Sequence, residues 1–149
     1  MLEVKIQSQD FDVGLELTRL RQQSAKSGAI ASFIGAMRDL NDGDTISEML
    51  LEHYPEMTEK AILSILKQAE QRWPTTGITV IHRIGRLLPN EQIVFVGVAA
   101  AHRGEAFQAC EFVMDYLKTQ APFWKKEITD KGERWVDSRA SDAQAAARW

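Results

Sequence analysis

Basic side chains in the last third of the sequence are the residues best suited to do chemistry. Between positions 118 and 139 they are Lys118, Lys125, Lys126, Lys131, Arg134 and Arg139. The whole chain of 149 residues is mildly acidic, with 18 Lys and Arg against 21 Asp and Glu and a net charge of −3. A basic series in an acidic protein indicates an anion site, although a solvated surface would have the same composition.

Lys118 and Lys125 are the pair whose spacing favours chemistry. Lys118 falls at the end of a predicted helix, which Pro122 stops, and an extended segment from Phe123 would return Lys125 toward it. Two ammonium groups at 4 Å repel by about 4 kcal/mol at a dielectric of 20, which lowers their pKa values. Such a pair can bind an anion or supply a neutral amine near pH 7. A lysine complementing the helix dipole and a solvated strand lysine remain the alternative.

His102 and Arg103 are a second candidate for anion binding. They lie where a predicted buried strand ends and a helix begins, and a helix N-terminus favours phosphate or carboxylate. Arg38, just after another predicted strand, is a third cation. Local ion pairs at the protein surface are the alternative for each.

Motif searches exclude several classes of enzyme. The glycine spacing contains no G-x-G-x-x-G, no P-loop and no G-x-S-x-G elbow. The three histidines have no metal-ligand spacing, so we expect no metal and no other cofactor. Cys110 lies on the apolar stripe of a predicted helix and should be inert packing. We also assign structural roles to His53 and His82.

The order of elements predicts one α+β domain over residues 1–149, with a mixed, mostly antiparallel sheet and two main helices. Predicted strands and extended segments cover 2–7, 29–35, 46–52, 78–84, 93–101, 123–129 and 134–136, and predicted helices cover 11–20, 55–73 and 102–120. Pro55 is placed at the first position of the second helix, which Pro74 and Gly77 end. Turns are expected at 41–44 and 85–90, and the tail at 141–149 forms a last helical turn or lies on a partner.

The composition also predicts where the protein is located and which partners it does not bind. The longest apolar run, 93–101, has nine residues, whereas a membrane span needs about 20. There is no secretory signal pattern and only one cysteine, so we expect a cytoplasmic protein that binds neither membrane nor nucleic acid.

Four blocks of sequence carry a resemblance to a known family. They are LEHYP at 51–55 with MTEK at 57–60, VIHRIG at 80–85, IVFVGV at 93–98 with AHR at 101–103, and MDYLKT at 114–119 with APFWK at 121–125. The last block is the most specific, and the match extends from 33–38 to the terminal ARW. With these blocks the chain resembles the large, catalytic subunits of molybdopterin synthase, the MoaE family.

The resemblance implies a sulfurtransferase of molybdenum cofactor biosynthesis with an α/β-hammerhead-like fold. It would convert cyclic pyranopterin monophosphate to the molybdopterin dithiolene. The sulfur would come from a thiocarboxylate on the C-terminal glycine of a small ubiquitin-like partner, and two large subunits would form the centre of a heterotetramer. A buried Cys110 fits a sulfur supplied from outside.

The resemblance also implies roles for individual residues. Lys118 would orient the thiocarboxylate and help transfer protons, and Lys125 would neutralise the phosphate or developing negative charge. The implied substrate-binding residues are Met37, Arg38, His102, Arg103, Lys126, Glu127 and Arg139. A composite site, in which His102 and Arg103 reach the pocket from a neighbouring protomer, is consistent with the resemblance.

The chain departs from the family pattern at two positions. Glu56 replaces a small residue such as glycine, and Asp39 could pair with Arg38 and reduce its availability for phosphate.

Two other functions remain open. One is a non-catalytic phosphate- or pterin-binding scaffold, which would use the same lysines. The weaker one is RNA binding through Phe123, Trp124 and Trp135, against which the balanced charge of residues 102–149 argues.

Overall fold

Within residues 1–136 and 139–149, which the computed structural model describes, the chain forms nine strands and four helices. The strands are β1 Leu2–Gln7, β2 Ala29–Ala36, β3 Leu40–Asn41, β4 Asp44–His53, β5 Thr75–Arg83, β6 Gly85–Leu87, β7 Gln92–Ala100, β8 Phe123–Thr129 and β9 Gly132–Val136. The helices are α1 Val13–Gln22, α2 Met57–Arg72, α3 Arg103–Gln120 and α4 Ala140–Ala147.

The first sheet contains the main core of the protein. Its strand order is β1-β5-β7-β2, with β1 parallel to β5 and the other pairs antiparallel. Helices α2 and α3 pack on one face, and α1 packs on the other against Phe95 and Ala99 of β7. Because both faces are covered, β7 is buried from Val94 to Ala100, which confirms the prediction made from its continuous apolar run.

The second sheet forms a separate antiparallel layer. Its order is β3-β4-β8-β9, and the short β6 pairs with residues 49–51 of β4, which also pair with β8. A small apolar cluster around Met49, Leu51 and Leu87 packs beneath it. The α+β class is confirmed, but the strands divide between two sheets where the sequence analysis placed one. Pairing between distant strands depends on tertiary contacts that the alternation of apolar residues does not encode.

Several element boundaries differ from the predictions. The chain re-enters a strand at Gly85–Leu87, within the expected turn. Gly77 lies inside β5, next to a register shift, and does not terminate a helix. The tail forms an eight-residue helix, α4, and Trp149 after it packs against α2 and α3. None of the described helices is both long enough and apolar enough to cross a bilayer.

The start of α2 contains a strained residue. Pro55 does not open the helix, which begins at Met57 after Glu56 adopts φ 68° and ψ −46°. The Met57 N–H donates to the Pro55 carbonyl over 2.9 Å, so the three residues form a γ-turn with a positive central φ, an uncommon and strained form. Glycine tolerates this φ, which explains why a small residue suits the position better.

We therefore expect Glu56→Gly to raise the free energy of unfolding by about 1 kcal/mol, because relief of the positive φ exceeds the entropy cost of glycine. Urea unfolding followed by circular dichroism measures the change. The matched control is Glu59→Gly, at an exposed position inside the same helix, which should lower stability by about 1 kcal/mol. Equal destabilisation by both substitutions would contradict the strain at Glu56.

Candidate active site

A recess of about 450 Å³ lies where the two sheets meet the end of α3. Its lining comes from β2 and the loop that follows it, β3, β4, β5, β7, the last turns of α3, β8, the end of β9 and the start of α4. Lys118, Lys125, Met37, Arg38, Glu127 and Arg139 are the sequence-predicted site residues that line it. The structure therefore brings six of the nine into one concave surface.

Lys118 and Lys125 converge because the chain turns back directly after α3. Lys118 lies in the last turn of that helix, and Ala121 is already extended, with φ −84° and ψ 127°. Pro122 follows, and β8 then runs antiparallel to β4 with Lys125 opposite Leu51. This is the return of the chain that the spacing predicts. Lys118 is exposed and Lys125 is half-buried.

The environment of Lys125 favours its neutral form. Burial, together with the positive charge of Lys118 beside it, lowers the pKa of Lys125 from 10.5 to about 8. Asp142 and Glu127 oppose this shift only weakly. An amine with such a pKa exchanges protons readily near neutral pH and still binds anions in its charged form.

The lowered pKa predicts how stability depends on pH. Lys125 binds its proton less tightly in the folded chain than in the unfolded chain, so its charge destabilises the fold below about pH 8. That destabilisation disappears as the pH rises from about 8 to 10.5. Lys125→Met should therefore stabilise the protein at pH 7 by on the order of 2 kcal/mol, with the gain vanishing by the upper end of this range.

Chemical denaturation of both proteins at pH 7 and pH 10 measures the difference. Lys67→Met, on the exposed face of α2, is the control. Its free energy of unfolding should differ from that of the wild type by the same amount at both pH values. A stability gain for Lys125→Met that is the same at pH 7 and pH 10 would contradict the lowered pKa.

The loop after β2 supplies Met37 and Arg38. Met37 is buried, and backbone hydrogen bonds with Glu91 and Asn90 hold the loop in place. Arg38 is exposed at the rim. Within residues 1–136 and 139–149 it makes no ion pair with Asp39, so the acidic neighbour does not occupy the guanidinium.

Glu127 and Lys126 point to opposite faces of β8, as alternation along a strand requires. Glu127 is buried, and its carboxylate accepts hydrogen bonds from Asn41 Nδ2 at 3.0 and 3.2 Å and from Arg134 Nε at 3.1 Å. Lys126 lies outside the recess, paired with Glu133 at 2.9 Å. Its Nζ also lies 5.6 Å from the centre of the Trp135 ring. The site role of Lys126 therefore stays a prediction.

Arg139 belongs to the recess through the start of α4. It precedes the helix, its backbone N–H donates to Asp142 Oδ2 at 3.1 Å, and its guanidinium bonds to the Asn41 side chain. Asp42 lies 3.8 Å from the same guanidinium. Arg139 thus connects one side of the recess to the turn between β3 and β4.

His102 and Arg103 lie at the far end of α3. Arg103 opens the helix and Lys118 is fifteen residues later, which separates their Cα atoms by about 22 Å. Both residues are exposed, and neither lines the recess of its own chain. Only a second copy of the chain could bring them to Lys118, so their role stays a prediction.

Among the titratable side chains described in the recess lining, two were missed by the sequence analysis. His82 of β5 lines the recess although we expected it to be structural, and Asp142 of α4 lies at the opposite side. The VIHRIG block at 80–85, which carries part of the family resemblance, could have indicated a site role for His82. Nothing in the tail composition indicated Asp142. No group of three or more metal-ligating side chains comes together among the residues that the structure describes.

Packing makes the Cys110 thiol unreactive and occupies the face of the Phe123 ring. Burial raises the pKa of the Cys110 thiol to about 11, and its Sγ lies 3.9 Å from the Val96 carbonyl oxygen. The expectation of an inert thiol is supported. The Phe123 ring is stacked on His82 with centroids 3.9 Å apart, so it is not free to stack on an RNA base.

Comparisons with known proteins agree on one family. A family model described as MoaE protein matches residues 6–120. The molybdopterin synthase catalytic subunit of Ralstonia nicotianae is 58% identical over 100% of this chain and 85% of its own length. That of Pseudomonas aeruginosa is 55% identical, with 99% of each chain covered. Among solved structures, the molybdopterin biosynthesis MoaE protein from Burkholderia ambifaria superposes with a TM-score of 0.87 at 54% identity, covering 100% of this chain and 98% of the other.

Proposed function

The chain belongs to the MoaE family, and from this premise we propose that Lys118 and Lys125 form the reaction centre of its sulfur transfer. The protein is an enzyme, a sulfurtransferase that converts cyclic pyranopterin monophosphate to molybdopterin in molybdenum cofactor biosynthesis. The observation that carries the proposal is the convergence of the two lysines, from α3 and β8, in one recess.

The sulfur comes from a partner chain. The donor is the C-terminal glycine thiocarboxylate of a small ubiquitin-like subunit, and two copies of this chain form the centre of the heterotetramer. The thiol chemistry of the chain supports an external donor, because Cys110 is buried and the raised pKa of its thiol keeps it protonated. A thiol in that state is a poor nucleophile and does not carry sulfur.

Anion repulsion explains why the recess is lined by cations. A thiocarboxylate and a phosphate that meet in one site repel each other, and ammonium or guanidinium groups between them offset that repulsion. Arg38 at the rim can fork onto phosphate oxygens, whereas a lysine can also release a proton. We therefore place phosphate on Arg38 and Arg139, and the reacting sulfur between Lys118 and Lys125.

The two lysines then have separate tasks. Lys118, exposed at the end of α3, orients the incoming thiocarboxylate and assists proton transfer when the acyl intermediate forms. Lys125, half-buried on β8, stabilises the negative charge that develops on the pterin. Its lowered pKa also suits it to deliver a proton near neutral pH. Met37 and Glu127 hold the surrounding wall in place.

The proposal includes a site completed by the second protomer. His102 and Arg103 are exposed at the N-terminus of α3, where they can reach across a dimer contact to the partner's recess. We also place the reaction in the cytoplasm, since the single cysteine is unpaired, as is usual in a reducing compartment.

Lys118→Ala and Lys125→Ala are each expected to lower kcat by about 10²–10⁴-fold, because each removes a group at the reacting atoms. Turnover is measured with thiocarboxylated partner and cyclic pyranopterin monophosphate. Lys67→Ala, on the exposed face of α2, is the charge-matched control and should keep full activity.

Partner binding, followed by calorimetry, and dimer mass separate this function from that of a silent scaffold. Both should persist in the lysine variants while turnover is lost. Normal turnover by Lys118→Ala would contradict the catalytic role assigned to Lys118.

A composite site predicts complementation between two inactive variants. A mixed dimer of Lys118→Ala and Arg103→Ala chains contains one recess with both native residues, so the purified mixed dimer should recover about half of the wild-type turnover. Each homodimer should remain inactive. Failure of the mixed dimer to recover activity would place Arg103 outside the partner's recess.

A further inference from the structure

His82 lies at the inner side of the recess but has no task in the reaction described above. It belongs to β5, where it is paired with Ile6 on one side and Val94 on the other. Its side chain is buried, and its ring lies on the Phe123 ring with centroids 3.9 Å apart and an angle of 19°. Two strands and one aromatic ring therefore fix the position of the imidazole.

The hydrogen bonding of His82 defines its tautomer. Nδ1 lies 2.9 Å from the Arg83 carbonyl oxygen, and because a carbonyl only accepts, Nδ1 carries the hydrogen and donates. Burial, with a smaller contribution from the charges of Lys125 and Lys118, lowers the pKa of His82 to about 4. The ring is neutral at physiological pH, and Nε2 has a free lone pair. Within the described residues, Nε2 has no hydrogen-bond partner.

The other polar groups around the recess are mostly donors or already paired. Lys118, Lys125 and Arg38 offer only N–H groups. Both oxygens of Glu127 accept hydrogen bonds from Asn41. The ammonium and guanidinium groups suit anionic oxygen and sulfur atoms but cannot accept a hydrogen bond from an N–H or O–H donor. On the opposite side of the recess, Asp142 Oδ2 accepts from the Arg139 N–H. His82 Nε2 offers a neutral acceptor on the inner side of the recess.

We propose that His82 is a substrate-binding residue whose Nε2 accepts a hydrogen bond from an N–H or O–H of the uncharged heterocycle, while the cations hold the phosphate. This inference rests on the proposed function and deepens it. Phosphate at the exposed rim and a ring donor at the buried imidazole fix two ends of the substrate. These two contacts determine the orientation of the substrate relative to Lys125.

Two substitutions separate the two nitrogens. In His82→Asn the side-chain amide replaces Nδ1 and can still donate to the Arg83 carbonyl, but no atom occupies the place of Nε2. In His82→Gln the longer side chain places an amide oxygen near the Nε2 position. His82→Asn should raise KM for cyclic pyranopterin monophosphate about 10-fold with a smaller change in kcat, and His82→Gln should restore much of that loss.

Inorganic phosphate is the probe that distinguishes binding from a structural role. Its inhibition constant should be unchanged in both variants, because only the cations contact it. His53→Asn, a histidine of β4 outside the recess, is the control and should keep the wild-type KM. A wild-type KM for His82→Asn would overturn the proposal, and so would weaker phosphate binding in both variants.

A spectroscopic measurement on the wild-type protein keeps the proposal testable if His82→Asn does not fold. The ¹⁵N resonance of His82 Nε2 should shift when cyclic pyranopterin monophosphate is added and stay fixed with inorganic phosphate. No shift with the pterin would refute the proposal. A normal KM for His82→Asn together with inactive Lys118→Ala would refute only the role of His82, whereas active Lys118→Ala would refute the proposed reaction centre itself.

Discussion

The repulsion between two lysines in one recess is the interaction on which the rest of the site depends. Lys118 and Lys125 come from different elements, and burial together with their mutual repulsion opposes the approach of the two charges. The fold compensates with contacts elsewhere. Helix α3 buries a stripe against the first sheet, which consists of Ala106, Ala109, Cys110, Phe112, Val113 and Leu117. Strand β8 is fixed by its pairing with β4 along its length.

The acidic residues of the second sheet are arranged so that they neutralise Lys125 only weakly. Glu127 is two residues along the same strand face, but its carboxylate is paired with Arg134, and Arg134 also bonds to Asp44 at 2.6 Å. This network satisfies a buried acid and ties β3, β4, β8 and β9 together. Because the acid has its own cation, the lowered pKa of Lys125 persists in a protein whose net charge is negative.

The recess also contains a neutral polar group, the imidazole of His82. His82 stays uncharged next to two ammonium groups because it is buried, and its ring stacks on Phe123 at the start of the strand that bears Lys125. Phe123 thus links the imidazole to the strand that bears Lys125, and the charges of Lys125 and Lys118 help to keep the ring neutral. The recess can then treat the charged and uncharged parts of one substrate differently.

Particular residues show which features could be predicted from sequence. The nine-residue apolar run predicted β7, and the step from Lys118 through Pro122 to Lys125 predicted the returning strand, since both depend on local chain geometry. The helix start at Pro55 was wrong, because Glu56 adopts a positive φ that its residue type does not indicate. His82 was placed correctly in a strand but assigned only a structural role.

By itself, the sequence determined the family through the four blocks that resemble MoaE proteins. Periodicity, proline and charge spacing, which act within short stretches of chain, predicted the α+β class and the approach of Lys125 to Lys118. Tertiary structure decided which residues share the recess. The pairing of β4 with β8 and the packing of α4 brought Glu127, Arg139 and Asp142 to one surface with His82 of β5, and Lys126 was left outside it, paired with Glu133. These arrangements depend on contacts between residues far apart in the chain, and burial and pKa shifts exist only once those contacts have formed.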